Sequence, residues 1–335
     1  MAETLLSVGE AHGLIAAALT ASNTSADNAA SVASALVGAE LAGQGGHGLR
    51  RVAAYAAQAR AGKVDGHAVP QAKRTRPGAV HIDAGHGFAY PAFDLAVAEL
   101  AAITPGHGIA IAGIARSHHA GVPGLTVEAL AGNGLVALMF ANAPAAIAPW
   151  GGRRALFGTD PIAFAAPVDG GEPVVVDVSL SKVARGKIMA AAQKGEPIPE
   201  GWALDPDGNP TMNAKAALAG TMVPLGDAKG TALALMVELL AAGLTGANFA
   251  AEQSSFFDAS GGPPGTGQAI IAIDPMAFGG VRAVARFTEM ADAIAGTEGA
   301  RVPGRRRQEL RARLMRDGIP ADAALIDEIR RIGAG

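Results

Sequence analysis

The segment Gly108-Ile109-Ala110-Ile111-Ala112-Gly113-Ile114-Ala115-Arg116-Ser117-His118-His119 decides how this chain is read. Residues 108–115 are apolar without polar alternation, as expected of a strand covered on both faces. Such a strand lies inside a sheet, and its C-terminal end is where α/β folds gather functional groups. Two adjacent histidines are delivered there. Outward from it, Leu125 to Leu130 reads as a helix and Leu135 to Ala141 as a second buried strand. Strand, histidine pair, helix and strand make an α/β unit.

Further out the pattern continues. Val80 to Asp83 is a short strand, Gly85-His86-Gly87 a turn, and Pro91 opens a helix to Ile103. Ser7-Val8-Gly9-Glu10 fits a capping box for a helix to Ala21. Ser25 or Asp27 caps the next helix, whose apolar positions Val32, Leu36, Val37 and Leu41 have helical spacing. A glycine-dense joint, Gly43 to Gly48, precedes a third helix from Leu49 to Ala61. Beyond the centre, Val174 to Val178 is a strand by its β-branching, and Ser179 or Ser181 caps the helix after it. Glu196 to Asn213, rich in proline, glycine and charge, reads as a long surface excursion. Lys229 begins the most apolar helix. A loop, Gly261 to Gly265, precedes the strand Ala269 to Ile273. Helices at Arg282 to Ala295, up to Asp317, and at Ala321 to Ile332 close the chain. The architecture expected is a sheet domain supported by helices from both termini.

Composition removes several function classes. The 335 residues carry 27 basic against 30 acidic side chains, a net charge of -3, which gives no long-range attraction for a polyanion. No aromatic-interleaved basic patch appears, so nucleic acid is not an expected partner. The absence of cysteine excludes disulfides, thiolate nucleophiles and Cys-ligated metals. Ala232 to Leu244 is the longest apolar stretch and is too short to span a bilayer. Met1-Ala2-Glu3-Thr4 lacks a basic region followed by an apolar run, so no secretory signal is expected. The cytoplasm is the expected location. No G-x-G-x-x-G follows a strand, and no P-loop, H-E-x-x-H or G-x-S-x-G is present.

The residues that could carry chemistry are few. His47 and Arg51 share a face if the segment after the glycine joint is helical. A guanidinium fixes a carboxylate through paired hydrogen bonds, and a neighbouring histidine exchanges a proton near neutral pH. An ordinary surface pair is the alternative. His118 and His119 cannot easily ligate one metal as neighbours, so a catalytic or cofactor-contacting histidine is the functional reading and no metal site is expected. Arg116 is read as a polar end to its strand. Asp177 ends an apolar strand and needs partners if buried, which the amides of the following helix would supply, as a plain cap or a cofactor contact. Lys187 reads as solvated. Lys229 opposes its helix dipole and calls for an anionic partner. Arg305, Arg306 and Arg307 either meet an extra phosphate or begin a solvated helix. His12, His67 and His107 read as surface residues, His81 and His86 flank a turn, and Trp150 and Trp202 read as loop anchors.

Several segments together resemble the type-2 malate/L-lactate dehydrogenase family, which is unrelated to the Rossmann-type enzymes of similar name. They are His47-Gly48-Leu49-Arg50-Arg51, Ser117-His118-His119, Ala148 to Gly152, Phe157-Gly158-Thr159-Asp160-Pro161-Ile162-Ala163-Phe164, Val183-Ala184-Arg185-Gly186-Lys187, Ile198 to Ala203, Pro224-Leu225-Gly226 with Lys229-Gly230, and Ala272 to Pro275. The resemblance implies a non-Rossmann NAD(P)-binding sheet domain, residues 76–279, and a helical domain from both termini, residues 1–75 plus 280–335. It implies a homodimer or larger homo-oligomer and hydride transfer to or from C2 of a small carboxylic acid. It assigns catalysis to His47, Arg51 and His119, and substrate contact to His47, Arg51, Thr159 and Asp160. Cofactor contact falls to His119, Ala120, Gly121, Val122, Pro123, Asp177, Val178, Ser179, Lys229, Gly304, Arg305, Arg306 and Arg307.

Within the family the chain looks most like the reductases of cyclic imino acids, pyrroline- and piperideine-2-carboxylate. Ser117-His118-His119, Leu239 to Phe249, Thr266-Gly267-Gln268 and Pro303-Gly304 carry that likeness, which implies NADPH, with NADH possible. The chain also departs from the pattern. Gly46 replaces a serine before the first histidine, and Lys187 replaces the aspartate of a serine–histidine–aspartate relay, as in the hydroxy-acid branch. Asp160 replaces an asparagine, and Ala120 an aromatic residue. An (S)-2-hydroxy acid dehydrogenase for malate, lactate or sulfolactate is the alternative within the class. A family relative that binds without turnover is the alternative outside it, with Gly46 and Asp160 in its favour.

Overall fold

The computed structural model describes residues 3–335. The reading of Met1-Ala2 as part of a leaderless start lies outside them. Ile109–Ser117 is indeed an interior strand of a seven-stranded sheet. The spatial order is Gln71–Arg76, Ala79–Asp83, Ile109–Ser117, Thr266–Ile273, Val136–Ala141, Ile162–Ala166 and Val174–Val178. Thr266–Ile273 lies between the two strands expected to neighbour each other and runs antiparallel to both, Ile273 opposite Ile109 on one side and Val136 on the other. Only Ala79–Asp83 and Ile109–Ser117 pair in parallel. The α/β unit read from sequence is therefore split by a strand from far along the chain. The fully exposed edge strand Gln71–Arg76, charged on both faces, carries no apolar signal and was not expected.

Helices Ala89–His107 and Pro123–Gly132 pack on the sheet around Ile114, Leu130 and Met139, which are fully buried. The helices of the two termini interlock. Val8–Thr20, with its Ser7–Glu10 capping box, packs on Ala26–Leu41, capped by Ser25, and on Ala323–Gly333. Glu3–Leu6 pairs antiparallel with Ile319–Asp322, tying one end of the chain to the other. The helix Arg305–Asp317 also packs on Ala26–Leu41. The protein is thus a mixed α/β structure with helices contributed from both termini.

Three local readings are corrected. Residues 196–213 are not a plain excursion. Ala203–Leu204, Pro210–Thr211 and Thr221–Met222 form a small sheet whose core includes Ile147, Ile188, Ile198 and Met222. Apolar residues spaced irregularly among prolines and glycines gave no period to read. Neither Ser179 nor Ser181 caps the next helix: their hydroxyls bond each other at 3.0 Å, and the helix Arg185–Lys194 begins after Ala184 without a side-chain cap. The third helix begins at Val52, because Gly45–His47 and Leu49–Arg51 are separate 3₁₀ turns. No helix among the described residues is long and apolar enough to cross a membrane.

Candidate functional site

The glycine joint is shaped by one carboxylate. Glu40 accepts the Leu49 amide at 2.7 Å, and any side chain at Gly48 would strike the Glu40 carboxylate. That contact folds Gly45–Arg51 into the two turns that bring His47 and Arg51 to the end of Ile109–Ser117. The shared helical face expected for the pair is not how they meet, since the turns replace it. His47 stacks on His119, with ring centroids 5.1 Å apart. Arg51 donates through Nε to the Gly46 carbonyl at 2.8 Å, and its guanidinium carbon lies 4.6 Å from the Phe257 ring centre. The remaining guanidinium nitrogens are free for a carboxylate.

The two strand-end histidines have different roles. His118 is buried, its Nε2 2.7 Å from Gln58 Oε1, while its carbonyl accepts from Thr266 and Gln268. It is a core histidine that fixes the strand end, and burial beside Lys63 and Arg51 lowers its pKa to about 3. His119 points toward His47, with Nδ1 2.7 Å from the Tyr55 hydroxyl, itself 3.1 Å from the Tyr90 hydroxyl. The chain has only two tyrosines, and both are spent here. Burial lowers His47 to about 4, with Arg51 adding to the effect, and holds His119 well below its ordinary value. Both rings are therefore neutral at physiological pH. Arg51 is the charge that acts on His47. Arg116 is accounted for without chemistry, through its ion pair with Asp83.

Thr159 and Asp160 part company. The Thr159 carbonyl accepts from Leu180 at 2.7 Å, setting the loop beside the sheet. Asp160 is fully buried in a left-handed conformation, φ 37°. One of its oxygens accepts from Ala143, and the other, unpartnered, belongs to a carboxyl that faces Glu238. Glu238 accepts from Asn142 and Ala250 and also keeps an unpartnered oxygen. Burial and the neighbouring carboxylate raise Asp160 well above its ordinary range, and burial raises Glu238. A shared proton follows from that arrangement. Asp160 therefore turns into the core, away from the substrate contact expected of it.

A second group lies at the start of Pro123–Gly132. Asp177 accepts from the Gly124 amide at 3.1 Å and from Arg307 at 3.4 Å. The helix that satisfies Asp177 is thus not the following one but one from earlier in the chain. A Cβ at Gly124 would collide with Arg307 and Asp177, so glycine is needed there. Gly121 has φ +65°, and a Cβ on it would approach the Tyr90 hydroxyl to 2.5 Å. Ala120, Val122 and Pro123 continue this loop, and Pro123 starts the helix. Gly304, at φ +92°, passes close to Val175, with Val178 exposed nearby in sequence. Arg307 keeps Nη1 buried without a partner, Arg305 reaches Gln308, and Arg306 is exposed. A helix N-terminus, a backbone cradle of glycines and an unpartnered guanidinium nitrogen fit the phosphates of a dinucleotide. Lys229 and Lys187 are both exposed, and no protein anion pairs with either among the described residues. No cluster of potential metal ligands occurs among the described residues.

Sequence reasoning missed the residues that hold the site. Lys63 is buried and donates to the carbonyls of Ser255, Asp258 and Ser260, and Gln58 donates to that of Phe256. They strap down the loop whose Phe256 lies 4.9 Å from His119 and whose Phe257 covers Arg51. Tyr55 follows Arg51 by one helical turn, a signal that was available; Tyr90, Glu40 and Glu238 gave none.

The family profile described as malate/L-lactate dehydrogenase matches residues 6–330. A (2R)-3-sulfolactate dehydrogenase (NADP(+)) of Chromohalobacter salexigens is 48% identical over 327 residues, covering 97% of each chain. A Delta(1)-pyrroline-2-carboxylate reductase of Burkholderia ambifaria is 39% identical over 332 residues, covering 98% of this chain and 97% of the other. The crystal structure of the delta1-piperideine-2-carboxylate reductase of Pseudomonas syringae superposes with a TM-score of 0.93 at 38% identity, covering 98% of this chain and 99% of that one.

Proposed function

The chain belongs to the malate/L-lactate dehydrogenase family of NAD(P)-dependent oxidoreductases, and from that premise we propose that it interconverts a small 2-hydroxy acid and its 2-oxo acid. The observation that carries the reading is the hydrogen bond between the Tyr55 hydroxyl and His119 Nδ1. Ketone reduction develops alkoxide charge and needs a proton donor. His119 is connected to two hydroxyls, whereas His47 has neither the serine nor the carboxylate of the imine reductases' relay. A sulfolactate-like acid is the leading substrate, supported by the 48% identical relative. Sulfur outranks carboxyl in the priority rules, so (2R)-sulfolactate has the same spatial arrangement as (S)-malate.

In this reading Arg51 holds the substrate carboxylate, with Phe257 limiting its rotamers. His119 gives or takes the hydroxyl proton at Nε2. His47, neutral, donates a hydrogen bond to the developing charge, and Thr159 lines the substrate side. Residues 119–123, 177–179 and 304–307 hold the dinucleotide, with Lys229 as a cation for its phosphates; when bound, it takes or supplies the hydride. Arg306 favours NADPH. The dinucleotide domain is residues 76–279, and residues 1–75 plus 280–335 form the helical support. Exposed apolar side chains on one helix and its extension, Leu233, Met236, Leu239 and Leu244, suit a second copy of the chain in a homodimer. The cytoplasm, with its pyridine-nucleotide pool, is the proposed location.

Reduction of cyclic imino acids is the second reading, favoured by the likeness to the Pseudomonas syringae enzyme. An imine nitrogen is already readily protonated, so a weak relay suffices. The experiment is a panel: (2R)-sulfolactate, (S)-malate and (S)-lactate with NADP+ and NAD+, against pyrroline- and piperideine-2-carboxylate with NADPH and NADH. Fast hydroxy-acid oxidation with slow imine reduction supports the first reading. The reverse selects the second, and cofactor binding without turnover of any member would leave a binding protein.

A further inference from the structure

His119 Nδ1 faces away from the substrate side, into a chain of hydroxyls that ends at Tyr90. Tyr90 also lines a cavity of about 420 Å³ between the helices Ala26–Leu41, Ala89–His107 and Pro123–Gly132. Its wall includes Ser31, Ser34, Asp94, Ala129 and, from the loop read as holding the dinucleotide, Ala120 and Val122, and none of His47, Arg51, His119 or Thr159. Ser34, Asp94 and Ala129 are exposed, so solvent enters there. Ser31 donates to Asp94 at 2.6 Å, adding a polar wall beside the aromatic one. Ala120 contributes only a methyl group to this wall. Tyr90, which lines the cavity, is linked through Tyr55 to the imidazole that stacks on His47.

We propose that Tyr90 and Tyr55 conduct the catalytic proton between His119 and this rear cavity. The proposal rests on the reading of His119 as the acid–base group. In oxidation the C2–H electron pair leaves as hydride to NAD(P)+, the C2–O bond becomes a carbonyl, and the hydroxyl proton bonds to His119 Nε2. The Nδ1 proton passes to Tyr55, the former Tyr55 proton to Tyr90, and the former Tyr90 proton to water in the cavity. The substrate loses one hydride, a proton with two electrons, to NAD(P)+ and one proton to His119; every hydroxyl is restored, and the imidazole is left in its Nε2–H form, the form from which reduction starts. Reduction runs the sequence backwards. Either hydroxyl of the pair can donate, as transfer in both directions requires. Burial raises both phenols, so they exchange protons as neutral hydroxyls. The route matters because bound substrate and dinucleotide close the other side of the imidazole to water.

The test is Tyr90→Phe, which keeps the ring and removes the hydroxyl. Histidine-labelled NMR of the protein saturated with NADP+ and a 2-oxo acid, between which no hydride can move, reads exchange of the His119 ring proton with solvent, and turnover in H2O and D2O reads the proton step. Exchange slower by ~10-fold or more, a larger solvent isotope effect and a lower kcat at nearly unchanged KM are expected. Ala129→Phe, which plugs the cavity rim without touching either hydroxyl, should slow the same exchange, and it serves if Tyr90→Phe does not fold. Wild-type exchange and isotope effect in both variants would overturn the route. His119→Gln separates the two ideas. If it is inactive while Tyr90→Phe behaves as wild type, only the route fails; if it keeps wild-type kcat, the acid–base reading fails as well.

Discussion

His47 and His119 lie face to face, their rings 5.1 Å apart and 22° from parallel. Two imidazolium ions would repel strongly at that spacing away from water. Burial, reinforced by Arg51, keeps both neutral, and the arrangement is stable only in that state.

Acid should therefore unfold the protein early. His47 falls to about 4 and His118 to about 3, against an unfolded value of about 6.5. Below about pH 6.5 the unfolded chain binds protons that the native state refuses, so stability falls as pH drops toward 4. Thermal melts across this range should show a steep decline, and His118→Gln should make it shallower. A wild-type Tm independent of pH over that window would contradict the neutral pair.

Removing the imidazole of His47 should damage turnover more than folding. His47→Ala is expected to lower kcat ~10²–10³-fold, the usual scale for one lost donor to a developing charge. The Tm should move by only a few degrees. A kcat within a few-fold of wild type on the best substrate would rule out the assigned role.

Arg51→Ala should act mainly through KM, raising it ~10²-fold with a smaller effect on kcat. Phe257→Ala, which removes the ring under the guanidinium, should cost only a few-fold, in keeping with ~0.5–1 kcal/mol for an exposed cation–π contact. Steady-state kinetics with the carboxylate substrate separates the two. An unchanged KM for Arg51→Ala would remove it from substrate binding.

Asp160→Asn should stabilise the protein, increasingly so as pH rises. The raised carboxyls of Asp160 and Glu238 bind more protons in the native state than unfolded, so the pair loses stability as pH climbs through its folded range. Asparagine tolerates the left-handed backbone at this position and presents an amide to Glu238. Melts at several pH values should show the gap between variant and wild type widening upward. A gap constant with pH would mean the two carboxyls do not share a proton.

Arg306→Ala should raise KM for NADPH ~10-fold and leave that for NADH little changed, since Arg306 is exposed and Arg307 is committed to Asp177. Equal losses for both coenzymes would assign Arg306 a structural role.

The interior strand, the capped terminal helices and the candidate site residues His47, Arg51 and His119 were legible in the sequence, because apolar runs, caps and rare residue types are local signals. The tyrosine pair behind His119 was only half legible. Tyr55 stands one helical turn from Arg51, but Tyr90 belongs to a distant helix and meets it only through packing. Asp160 was legible as a departure, yet its partner Glu238 was not, since nothing in an apolar helix announces that its one acid faces another. Gly46 shows the limit from the other side. A Cβ there would meet nothing within 4 Å, so the missing serine hydroxyl is not forced by packing.

By itself the sequence determined the interior strands, the capped helices and which side chains can bind a carboxylate or move a proton, but not the edge strand Gln71–Arg76 or the small sheet of residues 203–222. Periodicity and residue chemistry act over a few residues, and both are written in order along the chain. The tertiary structure alone decided that Thr266–Ile273 enters between two strands read as neighbours, that Asp177 is satisfied by Gly124 and Arg307, and that two tyrosines stand behind His119. Those partners lie far apart along the chain, and burial brings them together because a polar group removed from water must find a partner wherever the fold provides one.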